Sequence, residues 1–171
     1  PGSPGKYHSA DPEAQGLYDE ARLLLQQNTF EQAAIAYSNL TAAVRRDPKF
    51  VDAYYLMLET CWSDWGDKIP PLYDQVANQR LIASNLCVQA PNSVHYHVAN
   101  ACLNYSDWHF DRALEEAALA VRCDPTFPRA HGLYGWISLV TRGDVNLASK
   151  ELKAAERLDG ADRITKAHLG V

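Results

Sequence analysis

The residues of this chain that could do chemistry are its histidines, its cysteines and its paired carboxylates. His95 and His97 are two residues apart in a predicted helix, so their side chains point about 200° apart and cannot bind one metal ion from one helix face. Glu115 and Glu116 could serve acid–base catalysis, but they lie on a predicted helix surface, where solvation explains them. The sequence also lacks a glycine-rich phosphate loop, a nucleophile elbow and a His-Glu-x-x-His zinc helix. We therefore expect no enzyme active site, no metal ion and no cofactor.

The four cysteines are Cys61, Cys87, Cys102 and Cys123, and none belongs to a Cys-x-x-Cys pair. Each lies among apolar neighbours in a predicted helix, so we interpret all four as reduced core thiols, because a free cysteine behaves as a small buried hydrophobe. A disulfide between Cys87 and Cys102 is the alternative, and it would imply an oxidising compartment. The sequence does not decide the cellular compartment. The alternatives are the cytoplasm and, if the chain belongs to a membrane-anchored protein, an extracytoplasmic site.

The composition narrows the class of partner. The chain has 171 residues, 47% of them hydrophobic, and a formal net charge of −5, so it lacks the basic surface that binds nucleic acid. No apolar run approaches the roughly 20 residues that span a bilayer, so we do not expect direct membrane insertion. Residues 1–10 begin with a Pro-Gly-Ser-Pro-Gly run and are interpreted as a linker or a cloning remnant.

A repeating pattern of turn residues divides the chain into units and indicates which helix holds each of the histidines, cysteines and carboxylates. The signals are four dipeptides, namely Asp47-Pro48, Ala90-Pro91, Asp124-Pro125 and Asp159-Gly160. Their second residues are 43, 34 and 35 residues apart. A period near 34 with helical sequence on both sides of each turn indicates an array of helical repeats. Such arrays usually bind other proteins and rarely perform chemistry.

The apolar spacing between these signals predicts helices of three- and four-residue periodicity. Asp11 is expected to cap the first helix with Pro12 at its first position, and Asp47-Pro48 to end the second. Gly135 lies in the middle of a predicted helix, which suggests a close crossing of two backbones. The predicted helices cover about 11–27, 30–46, 50–63, 72–89, 92–105, 110–123, 127–141, 145–158 and 161–169.

The units resemble tetratricopeptide repeats, in which small residues lie where paired helices cross and an Asp-Pro closes the unit. The third unit matches best, with Phe110, Ala113, Ala117, Ala120 and Asp124-Pro125 at the family's positions. The resemblance implies an all-α fold, an α-α superhelix of about four helical hairpins plus a terminal helix. It divides residues 11–171 into units of about 14–48, 49–91, 92–125 and 126–160 and a capping or truncated helix at 161–170.

In this family the first helix of each hairpin lines a concave groove, so the resemblance implies a non-catalytic module that binds a protein or peptide there. The partner-binding residues that it implies are Tyr18, Arg22, Tyr55, Glu59, Trp62, His95, Tyr105 and Trp136. Tyr, Trp and Arg are enriched at binding hot spots. One subset of the family grips a C-terminal carboxylate with Lys, Arg and Asn. Of the corresponding residues here only Arg22 fits, so we do not expect capture of an acidic tail.

The sequence leaves two local alternatives open. In the third unit Ala101 could be the small crossing residue, which places His95 and Tyr105 in the groove, or Leu103 could be the core residue one register later. The tripeptide Ser-Asp-Trp occurs twice, ending at Trp65 and Trp108, each time between two predicted helices. We interpret these tryptophans as wedges folded over the turn, the alternative being an exposed strip for a partner.

A rival function also follows from the resemblance. The Asp-Trp turn and the alanine-rich helix after it are similar to arrays in large bacterial signalling proteins. This chain would then be a regulatory or ligand-sensing domain that controls an output domain elsewhere in a larger protein. Self-association through the ends of the solenoid is a third possibility.

Overall fold

A computed structural model describes residues 8–27, 29–61 and 75–158, and within these ranges the chain forms eight α-helices and no strand. The all-α fold class predicted from the sequence is confirmed. Three predicted features lie outside the described residues: the helix at 161–169, Trp62 near the end of the expected helix 50–63, and the turn at Trp65. In order, the helices are α1 Pro12–Gln26, α2 Phe30–Arg46, α3 Val51–Cys61, α4 Gln75–Gln89, α5 Val94–Ser106, α6 Phe110–Cys123, α7 Pro128–Arg142 and α8 Val145–Leu158.

The chain divides into two compact units, Pro1–Ala90 and Pro91–Val171. They are here called unit 1 and unit 2, and they are distinct from the four shorter repeat units predicted from the sequence. Unit 1 holds α1 to α4 and unit 2 holds α5 to α8. In each unit consecutive helices pack as hairpins, and the first helices of the two hairpins also touch, α1 with α3 and α5 with α7. No helix in the described ranges is both long and apolar enough to cross a membrane.

The helix ends follow from local capping chemistry. The Asp11 carboxylate accepts hydrogen bonds from the backbone N–H groups of Glu13 and Ala14, at 2.9 and 3.1 Å, which confirms the predicted cap. Ser93 caps α5 in the same way, because its hydroxyl accepts from the N–H of Tyr96 at 3.1 Å. Asp47 is extended after α2, as expected for a residue before proline.

The hairpins close at small residues. A Cβ atom added to Gly135 would lie 3.1 Å from the carbonyl oxygen of Ala148 and 3.1 Å from the Cγ of Leu152, both on α8. This confirms the close backbone crossing predicted for the glycine. At other positions alanine fills the buried space, and the fully buried ones include Ala14, Ala21, Ala36, Ala43, Ala101, Ala113, Ala117 and Ala120.

Two histidine–glutamate pairs recur beside these crossings in unit 2. The His97 Nδ1 lies 2.7 Å from an oxygen of Glu116, and the His131 Nδ1 lies 2.7 Å from an oxygen of Glu151. The second pair is the more enclosed, since the Glu151 side chain is 6% exposed and that of Glu116 is 24% exposed. The Nε2 of His131 also donates to the carbonyl of Pro125 at 3.0 Å. The pair therefore joins α7 to α8 and to the turn before α7.

The crossing at Gly135 predicts opposite effects for two glycine-to-alanine changes. Gly135→Ala should lower the free energy of unfolding, because its methyl group meets a backbone carbonyl that moves only with α8. Gly16→Ala should raise it by up to about 1 kcal/mol, because nothing lies within 4 Å of the new Cβ and alanine is the better helix former. Urea unfolding of the two variants compares them directly. Equal stabilisation of both would contradict the crossing.

The two histidine–glutamate pairs should contribute differently to the free energy of unfolding. Glu151→Leu should lower the free energy of unfolding by about 1–3 kcal/mol, because it leaves the Nδ1 of the buried His131 ring without its carboxylate partner. Glu116→Leu should cost less, since water reaches that carboxylate more easily. The double change His131→Phe/Glu151→Leu should recover most of the loss. A double variant no more stable than Glu151→Leu in the same urea titration would show that the single change acts by another route.

Candidate functional site

The first helices of unit 1 bring an aromatic ring and an arginine together. The Tyr18 ring packs on the buried Phe50 with ring centroids 5.0 Å apart, while the Arg22 guanidinium lies 5.9 Å from the centre of the Tyr18 ring. One helical turn separates Tyr18 from Arg22 on α1, which explains the cation–π contact. Tyr18 is half-buried and Arg22 is exposed.

Carboxylates from α3 lie beside this ring. Burial raises the pKa of Tyr18, and the negative charges of Asp52 and Glu59 raise it further, whereas Arg22 lowers it. Burial also raises the pKa of Asp52, although nearby His8 and Arg22 lower it. We call the surface made by Tyr18, Arg22, Asp52 and Glu59 the α1–α3 face. It combines one exposed guanidinium with half-buried carboxylates and an aromatic ring.

Tyr55 is more deeply placed than its neighbours on this face. It is 7% exposed and belongs to the core of unit 1, together with Tyr54 and Leu58. Most of its ring is therefore covered by the protein itself. Trp62, which follows Tyr55 by seven residues in the sequence, lies outside the described residues.

Unit 2 assembles an aromatic cluster from its two first helices. Tyr105 on α5 and Trp136 on α7 have ring centroids 4.6 Å apart with planes tilted by 55°, and Tyr105 also lies 5.6 Å from Phe110. Tyr105 and Trp136 are both half-buried, so each ring packs on its neighbour and still presents a part to solvent. We call the surface made by these two residues the α5–α7 face.

His95 lies at the other end of α5 and is 7% exposed. Its ring meets Phe127 edge-on, with centroids 5.3 Å apart. Burial lowers the pKa of His95 to about 4, and the charge of Asp124 opposes this. The ring is therefore a neutral, packed side chain at neutral pH.

The structure favours one of the two registers left open for α5. Ala101 is fully buried and Leu103 is half-buried, as expected if Ala101 is the crossing residue. The Asn104 side-chain amide donates to the carbonyl of Asn100 at 2.8 Å, so one of the amides that this register encloses has its partner within the helix. Tyr105 then falls on the α5–α7 face.

The turn between α5 and α6 contradicts the expectation of a wedge. Trp108 is 78% exposed and touches only the edge of Phe110 among its ring contacts in the described residues, with centroids 5.6 Å apart. Its backbone has φ 62°, a left-handed conformation that usually takes glycine after a helix. The indole is therefore exposed at the turn, as in the alternative in which it is available to a partner.

The expectation that all four cysteines are core thiols is wrong in part. Cys61 is buried, and burial raises its pKa to about 12, but Cys87 and Cys123 are exposed and so are not core thiols. All four cysteines are free. Across the described ranges, no three His, Cys, Asp or Glu side chains gather where they could hold a metal ion.

Solved structures with a similar fold identify the architecture. The structure of TTC0263, a thermophilic TPR protein of Thermus thermophilus, superposes with a TM-score of 0.62 at 16% identity, covering 90% of this chain and 83% of that one. This is a tetratricopeptide-repeat fold. The close crossing at Gly135 and the fully buried alanines are in keeping with this fold.

Two other tetratricopeptide structures match less closely. YrrB, described as a TPR protein with an unusual peptide-binding site, gives a TM-score of 0.47 at 13% identity over 92% of this chain and 75% of that one. MamA from Desulfovibrio magneticus RS-1 gives 0.42 at 16% identity over 91% and 99%. No model of a protein family matches the sequence, and a comparison with curated proteins found no match.

The burial of His95 predicts an acid-dependent loss of stability. Above pH 6.5 the ring is neutral in the folded and unfolded states, so its full contribution is present. Between pH 6.5 and about 4 the unfolded chain binds a proton that the folded chain excludes, and stability falls by up to about 1.4 kcal/mol per pH unit. His95→Leu should flatten this part of the profile in urea unfolding from pH 4 to 8. Parallel profiles for the variant and the wild type would contradict the prediction.

Proposed function

We propose that this chain is a non-catalytic interaction module that binds a peptide or a helix of a protein partner on the first helices of its hairpins. The observation that carries the proposal is the α5–α7 face. Tyr105 and Trp136 come from different hairpins, pack with their ring centroids 4.6 Å apart and stay half-buried. Each ring is thus held in place before binding and still offers apolar area to a partner.

The α1–α3 face supports the same function in unit 1. Tyr18 rests on the buried Phe50, so its ring is fixed from below, and Arg22 stands beside it as an exposed hydrogen-bond donor. Tyr55 and His95 contribute differently in this proposal: both are buried, so they support the faces from within and offer little contact area of their own. Glu59 adds a polar group at the border of the α1–α3 face.

The preformed character of the α5–α7 face suggests how it binds. Aromatic rings that are already packed lose little conformational entropy on binding, and they bury large apolar areas. A partner with two or three apolar side chains on one side of a helix or extended segment has the matching shape. Arg and Tyr at the border would then fix its orientation through hydrogen bonds.

Trp136→Ala tests this proposal against Trp108→Ala as its matched control. Binders are first selected from a displayed library of random peptides on the wild-type chain, and their affinities are then measured by titration. Trp136→Ala should weaken the selected peptides at least about tenfold, as expected for a central aromatic anchor. Trp108→Ala removes the same side chain from an exposed turn, and it should change affinity by less than about twofold.

Both variants are checked for wild-type circular dichroism and urea unfolding, so that a loss of affinity reports the surface. Selection of no peptide would contradict the proposal, as would peptides that bind Trp136→Ala and wild type equally while changes on the α1–α3 face also leave them unaffected. Peptides that depend on Trp108 alone would move the binding surface to the turn between α5 and α6.

A further inference from the structure

The negative charge of the chain is concentrated in unit 1. Unit 1 has eleven Asp and Glu residues against seven Lys and Arg, whereas unit 2 has ten against nine. Almost the whole net charge of −5 therefore belongs to unit 1. Such a bias attracts partners of opposite charge and disfavours partners of the same charge.

Negative charges also outnumber positive charges on the α1–α3 face. The charges of Asp52, Glu59 and Asp19 raise the pKa of the Tyr18 hydroxyl, and the charge of Arg22 lowers it. The side chain of Asp52 is well enclosed, with only 17% of it exposed. A carboxylate in such a place interacts more strongly with a nearby cation than one in open solvent.

The chain itself already places a basic side chain on Asp52. The Nδ1 of His8 lies 3.5 Å from a carboxylate oxygen of Asp52. The next residue is fixed to unit 1, because the Ser9 hydroxyl donates to the Asp47 carboxylate at 2.5 Å and the Ser9 backbone N–H donates to the Gln15 side chain at 3.2 Å. His8 is thereby held at the border of the α1–α3 face.

We propose that the α1–α3 face binds a peptide segment that presents a Lys or Arg side chain to Asp52 and an apolar side chain to Tyr18, and that His8 competes for the same carboxylate. The inference rests on the proposed function and specifies the chemistry of its partner. The ring of Tyr18, which packs on Phe50, supplies the apolar contact, and the carboxylate of Asp52, which His8 already contacts, supplies the negative charge.

An acidic segment fits this face poorly. Arg22 could form an ion pair with an acidic segment, but Asp52 and Glu59 would repel it. Repulsion between like charges disfavours such a partner. A basic segment meets Asp52 and Glu59 as opposite charges, and Arg22 remains engaged with the Tyr18 ring.

The test uses the full chain and the same displayed random library. Peptides whose binding depends on Tyr18, as judged with Tyr18→Ala, should be enriched in Lys and Arg. In one such peptide the basic residue is replaced by Met, which keeps the length of the side chain and removes the charge. The Lys peptide should bind the wild type about three- to tenfold more tightly than the Met peptide at low salt, and the difference should shrink at high salt.

Two substitutions in the protein complete the test. Asp52→Asn keeps the shape of the side chain and should abolish the preference for Lys over Met, with Glu59→Gln as a second variant that should reduce it. His8→Ala should strengthen binding of the Lys peptide and leave the Met peptide unchanged, because it removes the competing imidazole.

The outcomes separate this inference from the proposed function. Peptides that depend on Tyr18 or Trp136 but show no excess of basic residues, or keep their preference on Asp52→Asn, would overturn the inference alone. An unchanged affinity of the Lys peptide for His8→Ala would overturn the competition by His8. Selection of no peptide that depends on either face would overturn the proposed function itself.

Discussion

The close approach of α7 to α8 at Gly135 is the constraint on which unit 2 depends. A single added carbon would lie 3.1 Å from a backbone carbonyl of α8, so the two helices leave little room for a side chain at this position. The His131–Glu151 pair fills the space beside this crossing and joins the same two helices. In a helix consecutive residues project about 100° apart. A glycine that faces α8 therefore turns the next residue, Trp136, away from the hairpin contact and toward Tyr105 on α5.

The two units use the same arrangement of helices to present different surfaces. In unit 2 the first helices meet through two half-buried rings. In unit 1 the corresponding helices bring carboxylates and an arginine around one ring, and the second ring, that of Tyr55, is drawn into the core. Since the backbone contacts α1–α3 and α5–α7 are alike in kind, the difference lies in the side chains. A repeat fold of this type fixes where a surface lies and leaves its chemistry to be set unit by unit.

Much of the fold follows from local sequence signals. Helices α2, α6 and α8 begin and end where the apolar spacing and the turn residues place them, and the cap at Asp11 and the crossing at Gly135 were predicted from single residues. Two features of unit 2 were not predicted, namely the His131–Glu151 pair and the exposure of Trp108. The pairing of His131 with Glu151 needs the rotation of both α7 and α8, which no window of sequence contains. Trp108 was expected to fold over the helix–helix turn because it follows Asp107, but it is exposed and its backbone is left-handed.

Stability and the proposed binding depend on different sides of the same helix in unit 2. On α7, Gly135 and His131 face α8, and their substitution changes how the hairpin closes. Trp136 contacts Tyr105 across the first helices, and a part of its ring is open to solvent. The hairpin contact involves small groups and an enclosed polar pair, where a change of one carbon matters. The aromatic contact is wide and partly open, so the α5–α7 face can vary in sequence while the crossing that positions it stays the same.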